Sequence, residues 1–302
     1  MSNWLNYHHL LYFWATAKHG TITAACEELH VTPQTISAQI RSLERATGEE
    51  LFDRRGRRLE LTAVGRLVYR YADEIFSLGQ ELGEVLRGGP TASQRRMTLH
   101  VGVAEALPKL IVHHVLEPAN DLPEPVKIVC HMGKPDRLLA DLVTHELDVV
   151  ISDAPVPPAF KVGAYNHLLG SCGVTFMAAA DLAKTLRRGF PGSLQDAPIL
   201  LPTPETTLRA SLDRWLRDKE LDPFVVGEFA DSGVLKVFAK EGAGVIAIPS
   251  VVAEEVRKTY GLRLVGEAPE LEERFYAISV ERRVRHPAVS AICESARASL
   301  FA

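Results

Sequence analysis

The sequence predicts an α/β protein with a helix-rich head, and three observations lead there. Residues up to about 87 carry apolar side chains at helical spacing. Gly88-Gly89-Pro90-Thr91-Ala92-Ser93-Gln94 is the clearest linker in the chain. Beyond it, short apolar runs alternate with helical patterns of about 10–15 residues, the order of an α/β fold with a mostly parallel sheet.

The bulk numbers set the limits. The chain has 302 residues, is 46% hydrophobic and 24% charged, and carries a net charge of -4. At roughly 150 residues per domain this predicts two or three domains. A chain of this size buries a full core and needs no disulfide staples. No apolar stretch reaches the roughly 18 residues of a membrane span. The N-terminal run lacks the basic flank and cleavage site of a signal peptide. Cys26, Cys130, Cys172 and Cys293 lie far apart with no CxxC pair. Four buried free thiols in a reducing cytoplasm are the expectation.

In the head, Leu5, Leu10, Leu11, Phe13 and Trp14 mark a first helix ending near Gly20. Thr21 suits the N-cap of a second helix, about Ile22 to Leu29, with Ala24, Ala25 and Leu29 as its packing face. Thr32 suits an N-cap, and Pro33 the first helical position, where no N–H is needed. Ile36, Ile40 and Leu43 recur at i, i+4 and i+7 as the buried stripe of a third helix. Its other face carries Gln34, Thr35, Ser37, Ala38, Arg41 and Ser42, with no acid before Glu44.

Two helices joined tightly, the second with a short polar face, suggest a helix-turn-helix. Such a helix fits the major groove, where Gln, Ser, Thr and Arg meet base edges. Its N-terminus also offers free N–H groups to phosphate. A small helical bundle without DNA is the alternative. Residues 51–61 read LFDRRGRRLEL, apolar at both ends around a glycine flanked by arginine pairs. This predicts a β-hairpin wing whose tip reaches phosphates, against the alternative of a solvated charge run. Thr62 then caps a long helix from about Ala63 to Leu86. Val64, Leu67, Val68, Tyr71, Ile75, Leu78, Leu82 and Val85 form its stripe. Alone, such a helix would leave the stripe wet, so pairing with a second copy is expected, and a dimer reads two half-sites.

In the body, strands are expected at Met97–Val103, Val126–Cys130, Leu147–Ser152, Val174–Ala178, Ile199–Leu201, Val225–Phe229 and Val245–Ile248. Open α/β lobes bind ligands beyond the carboxyl ends of their strands. Those ends deliver Ala104, Glu105 and Ala106, then His131 and Met132, then Thr203, Thr206 and Thr207, then Phe229 and Asp231. Glu105, Asp231 and the hydroxyls suit a cation or a proton-sensing site, although a nearby helix N-terminus would favour an anion. His8-His9 and His113-His114 are adjacent pairs, and helical neighbours do not share a face, so neither pair is expected to chelate. No Gly-rich phosphate loop, GxSxG elbow or metal-spaced His/Cys cluster appears, so no enzyme, resident metal or cofactor is expected.

Residues 23–68, TAACEELHVTPQTISAQIRSLERATGEELFDRRGRRLELTAVGRLV, closely resemble the DNA-binding domain of LysR-type transcriptional regulators. ELDVVISD and GAGVIAIP resemble that family's effector-domain signatures, so the likeness runs the length of the chain. A finer resemblance, through NYHHLLYFW, GVAEALPKL, CGVTF and VGEFADSGVLKVFA, is to activators of a sodium/proton antiporter gene that respond to sodium.

The resemblance implies a winged helix-turn-helix at 1–62, a dimerising linker helix at 63–87 and a hinge at 88–96. It implies a two-lobed periplasmic-binding-protein-like (type II) effector domain at 97–302, with lobe I at about 97–162 and 266–302 and lobe II at about 163–265. It also implies promoter DNA with a dyad, dimers or tetramers of this chain, a small effector or sodium in the interlobe cleft, and contact with RNA polymerase. A regulator answering a small organic metabolite is the alternative. For DNA, Pro33, Gln34, Ser37 and Ala38 are assigned to base reading, with Thr35 and Arg41 at the margins. Thr32, Gln39, Ser42, Arg54, Arg55, Arg57 and Arg58 are assigned to phosphate or to supporting the helix. Many family members have Gln-Pro where this chain has Pro33-Gln34, and Arg where it has Ala38. The operator sequence therefore does not carry over from distant relatives.

Overall fold

A computed structural model describes residues 5–55, 58–86, 97–157, 163–280 and 286–301. The expected linker, 88–94, lies outside the described residues. The chain forms two compact units, divided near Arg95.

The first unit holds α1 (Tyr7–His19), α2 (Ile22–Leu29), α3 (Pro33–Thr47), the hairpin of β1 (Phe52–Arg55) and β2 (Arg58–Leu61), and α4 (Ala63–Leu86). Local chemistry sets most of these ends. Asn6 accepts from the N–H groups of His8 and His9, and Gly20, at φ 70°, closes α1 in the left-handed region. Thr21 caps α2 through the Ala24 N–H, and Thr32 caps α3 through the Thr35 N–H with Pro33 in its first turn. The acid on α3, Glu44, serves the backbone. Its Oε1 accepts from Leu51 N–H at 3.0 Å and Phe52 N–H at 3.4 Å, which fixes where the hairpin begins. Thr62 Oγ1 accepts from Gly65 N–H at 2.9 Å and opens α4. Gly65 is required by close approach, because a Cβ there would run into the Leu51 carbonyl. Leu10, Phe13, Trp14, Ala25, Ile36, Ile40, Leu43 and Leu51 make the core, and Trp14 Nε1 donates to Asp73 of α4 at 2.8 Å.

The second unit begins with β3 (Met97–Ala104), α5 (Lys109–Leu116), β4 (Val126–Gly133), α6 (Pro135–Val143) and β5 (Val149–Ser152). It continues with β6 (Tyr165–Ala178), α7 (Ala180–Leu186), β7 (Pro198–Pro202), α8 (Thr207–Asp218), β8 (Phe224–Phe229) and α9 (Ser232–Lys240). It ends with β9 (Ile246–Pro249), α10 (Ala253–Tyr260), β10 (Arg263–Ser279) and α11 (Pro287–Ser295). One sheet runs β4-β3-β5-β10-β6-β9, and β7 and β8 form a smaller one.

The expectation of a mostly parallel sheet is corrected here. β3 is parallel to β4 and β5, and β7 to β8, but β10 is antiparallel to β5 and β6, and β6 to β9. β6 and β10 are 14 and 17 residues long. They serve two cores: Leu169, Met177, Phe275 and Ala277 in one, Val174, Phe176, Val265 and Ala268 in the other. Only Val174–Ala178 of this pair is readable as a strand. β10 interrupts its apolar alternation with Glu267, Glu270, Glu272 and Glu273, and its register shifts three times against β6. The four-thiol expectation is also corrected. Cys293 is buried, Cys26 and Cys172 are half-buried and Cys130 is exposed. Cys130 lies on β4, which has only one neighbouring strand and ends the sheet.

Candidate functional site

On α3 the periodicity that buries Ile36, Ile40 and Leu43 turns the polar residues outward. Thr32, Pro33, Gln34, Ala38 and Arg41 are exposed, and Thr35, Ser37, Gln39 and Ser42 are half-buried. Arg41 Nε donates to Ser37 O at 3.2 Å, and Ser42 Oγ to Ala38 O at 3.0 Å, which orders two side chains along the helix. Thr32 and Thr35 join their hydroxyls at 3.0 Å across the first turn. This face is short, polar and free of carboxylates, and its helix dipole is positive at the Pro33 end. In the hairpin, Arg55 pairs with Arg58 and Arg54 with Leu59. That puts Arg54, Arg55 and Arg58 toward the turn, while Gly56 and Arg57 lie outside the described residues. On α4, Tyr71, Ile75, Leu78, Leu82 and Leu86 are exposed, an apolar line at spacings of three and four.

Between the two cores of the second unit lies a cavity of about 50 Å³. A water needs roughly 10–15 Å³ of such space, so it has room for a few waters. Ala106, Thr206 and Phe229 line it, as do Asp153, Ser232, Lys236 and Glu273. The other residues assigned to this region are placed differently. Ala104 is buried in the sheet, and Glu105, His131 and Met132 are exposed, His131 stacking on His100 at 6.3 Å. Thr203 accepts from the Thr206 N–H at its carbonyl. Glu105 and Asp231 are not among the lining residues, so the two acids expected together at the cavity are not brought together there. Asp231 caps α9 through the N–H groups of Gly233 and Val234 and pairs with Lys109 Nζ at 2.5 Å. That hydrogen bond from Lys109, with those from the backbone, holds its carboxyl below the usual range.

The acids that do face the cavity are Asp153 and Glu273. Thr207 Oγ1 donates to Asp153 Oδ2 at 2.6 Å, and the same hydroxyl also favours the charged form of Glu273. Burial, and then the charge of Asp153, push the Glu273 carboxyl up to about 7. Glu273 is 5% exposed and Lys236 3%. Burial pushes Lys236 down to about 8, and its Nζ donates to Ser232 O and Oγ at 3.2 and 3.3 Å. Arg209 ties α8 to the neighbouring strands, donating to Asp213 at 2.8 Å, Glu228 at 2.7 Å and the Pro202 carbonyl at 2.9 Å.

Asp153, Lys236 and Glu273 escape sequence reasoning for separate reasons. Asp153 directly follows the buried run VVIS and is open to the strand-end rule. Lys236 resembles any lysine of an amphipathic helix. Glu273 sits inside a strand that the pattern does not reveal.

Residues 7–66 match the family described as "Bacterial regulatory helix-turn-helix protein, lysR family", and residues 92–300 match "LysR substrate binding domain". The chain is 34% identical over 297 residues to the transcriptional activator protein NhaR of Escherichia coli K12, covering 98% of this chain and 97% of that one. It is 26% identical to the RuBisCO operon transcriptional regulator of Acidithiobacillus ferrooxidans, over 90% of this chain and 86% of that one. Among solved structures, ArgP from Mycobacterium tuberculosis shares the fold with a TM-score of 0.58 at 21% identity, covering 97% and 96% of the two chains. Full-length LysG from Corynebacterium glutamicum, with bound effector Arg, does so with a TM-score of 0.59 at 16% identity, covering 96% and 98%. A cap-defined helix-turn-helix with a wing, a long helix and a body with two cores, matched along nearly the whole sequence, make this chain a member of the LysR family of DNA-binding transcriptional regulators.

Proposed function

We propose that this regulator activates a sodium/proton antiporter gene and responds to sodium or pH at the interlobe cavity. Its likeness to NhaR along the whole chain supports the antiporter role. The observation that carries the sensing role is the pair of acids, Asp153 and Glu273, that line one cavity, with Thr207 Oγ1 donating to Asp153. Two carboxylates and a hydroxyl oxygen are hard ligands of the kind that suit sodium. A proton on Glu273 and a sodium ion between the acids neutralise the same charge, so they compete. Raising the pH removes the proton and favours the ion.

In this reading the division is 1–62 for DNA, 63–87 for pairing, 88–96 as hinge and 97–302 for sensing. Pro33, Gln34, Ser37 and Ala38 read bases, and the wing arginines hold phosphate. Two copies pair through the α4 stripe. The exposed Phe224, Val225 and Val226 of β8 and Val234, Val237 and Phe238 of α9 are a second apolar face for tetramers. The chain works in the cytoplasm on promoter DNA, beside RNA polymerase, as a regulator and not as an enzyme.

The test is a footprint on the chain's own upstream DNA, in sodium and in potassium at constant ionic strength, over a pH series spanning about 7. Constant ionic strength separates sodium from counterion release. The expected result is a sodium-specific change that grows with pH and is absent in Asp153→Asn. A footprint indifferent to both would overturn the sensing role and favour an organic effector.

A further inference from the structure

A second cluster, away from the cavity, joins the end of α5 to α10. Side-chain donor atoms of His113, His114 and Glu117 all lie within 4.8 Å of one another. The rings of His113 and His114 are 5.4 Å apart, edge to face. Consecutive helical residues do not share a face, yet here both rings lie near Glu117.

His114 shows what the cluster is built for. Its Nε2 is 2.6 Å from Glu255 Oε1 on α10. A carboxylate only accepts, so in the tautomer that donates to Glu255 the ring proton sits on Nε2 and Nδ1 offers its lone pair toward Glu117. Nδ1 is 3.7 Å from Glu117 Oε2, beyond hydrogen-bond distance. In that tautomer two lone-pair atoms face each other at 3.7 Å. Ligands about 2.0–2.1 Å from one tetrahedral ion sit roughly 3.4 Å apart, close to this spacing. A histidine whose far nitrogen is held by a carboxylate is the usual outer support of a metal-binding imidazole.

We propose that His113, His114 and Glu117 bind a divalent transition-metal ion of the zinc class, with Glu255 as the positioning residue. Two imidazoles and one carboxylate suit zinc, nickel or copper better than magnesium or calcium. Three protein ligands leave the fourth position open to water or an outside group. The bond from His114 to Glu255 links the site to α10. Pro108, just before α5, and Val252, just before α10, both line the interlobe cavity.

The experiment uses the full chain after chelator treatment. Zinc binding is titrated calorimetrically, and cobalt is followed by its visible absorption. One ion per chain with a tetrahedral cobalt spectrum is expected, lost in His113→Ala/His114→Ala. Glu255→Gln should weaken zinc by about 10–100-fold while leaving the ligands in place. His131→Ala, outside the cluster, should leave zinc binding unchanged. DNA binding without metal checks that each variant is folded. No zinc binding by the parent chain, or equal binding by the double variant, overturns the site. In the first case His114 is a structural link between Glu117 and Glu255.

Discussion

Along α3 the proposed DNA contacts come from one short run, and the bonds that shape them span three or four residues. The cavity of the second unit is assembled the other way. Thr207 reaches Asp153 across 54 positions, and Lys109 reaches the cap of α9 across 122. The head exposes its polar groups to water, where they wait for DNA. The cavity encloses an acid and a lysine that each titrate near neutrality. Groups on a helix face keep ordinary chemistry and owe their role to spacing. Groups brought in from distant segments take their chemistry from burial and from one another.

Four variants test that contrast. The largest effect is expected in the head. Gly65→Val forces a side chain into the Leu51 carbonyl, with a loss of about 3 kcal/mol. Calorimetry should show a lowered transition for the head with the body's transition unmoved; a shift in both would mean the units do not unfold separately. Next is the pairing stripe. Leu78→Glu with Leu82→Glu should turn dimers into monomers in sedimentation and lower affinity for a dyad site by ~100-fold. An unchanged dimer would place pairing elsewhere.

The third test addresses the cavity. Glu273 keeps a proton in the folded chain up to about pH 7, against an ordinary 4.5. The native state therefore binds more protons within that window and loses stability as pH rises through it. Glu273→Gln keeps a neutral side chain. Its stability relative to the parent should rise between pH 4.5 and 7. The rise should be about 2.5 kcal/mol, since a tenfold change in proton affinity is worth roughly 1.4 kcal/mol and the carboxyl is part-titrated at both ends of the window. Denaturation at several pH values reads this directly, and a pH-independent difference would remove Glu273 from the sensing role. The smallest effect is expected from Gln34→Ala, about 1 kcal/mol of discrimination at a single base pair. Equal loss on cognate and scrambled DNA would reduce Gln34 to a general contact.

The head is legible in the sequence nearly element by element. Thr21, Thr32 and Thr62 announce three helix starts, Gly20 the end of α1, and Ile36, Ile40 and Leu43 the buried side of α3. These signals are local, since a cap or a stripe acts within one or two turns. The alternation of strands and helices in the body is legible too, because a buried run such as VVIS reads as a strand anywhere. The antiparallel course of β6 and β10 comes only from tertiary packing. So does the pairing of Asp231 with Lys109, and the meeting of Asp153, Lys236 and Glu273 at the cavity. Packing also places Glu255 behind His114. Each of these depends on which distant segments come together, and burial and charge act through space, where sequence separation carries no information.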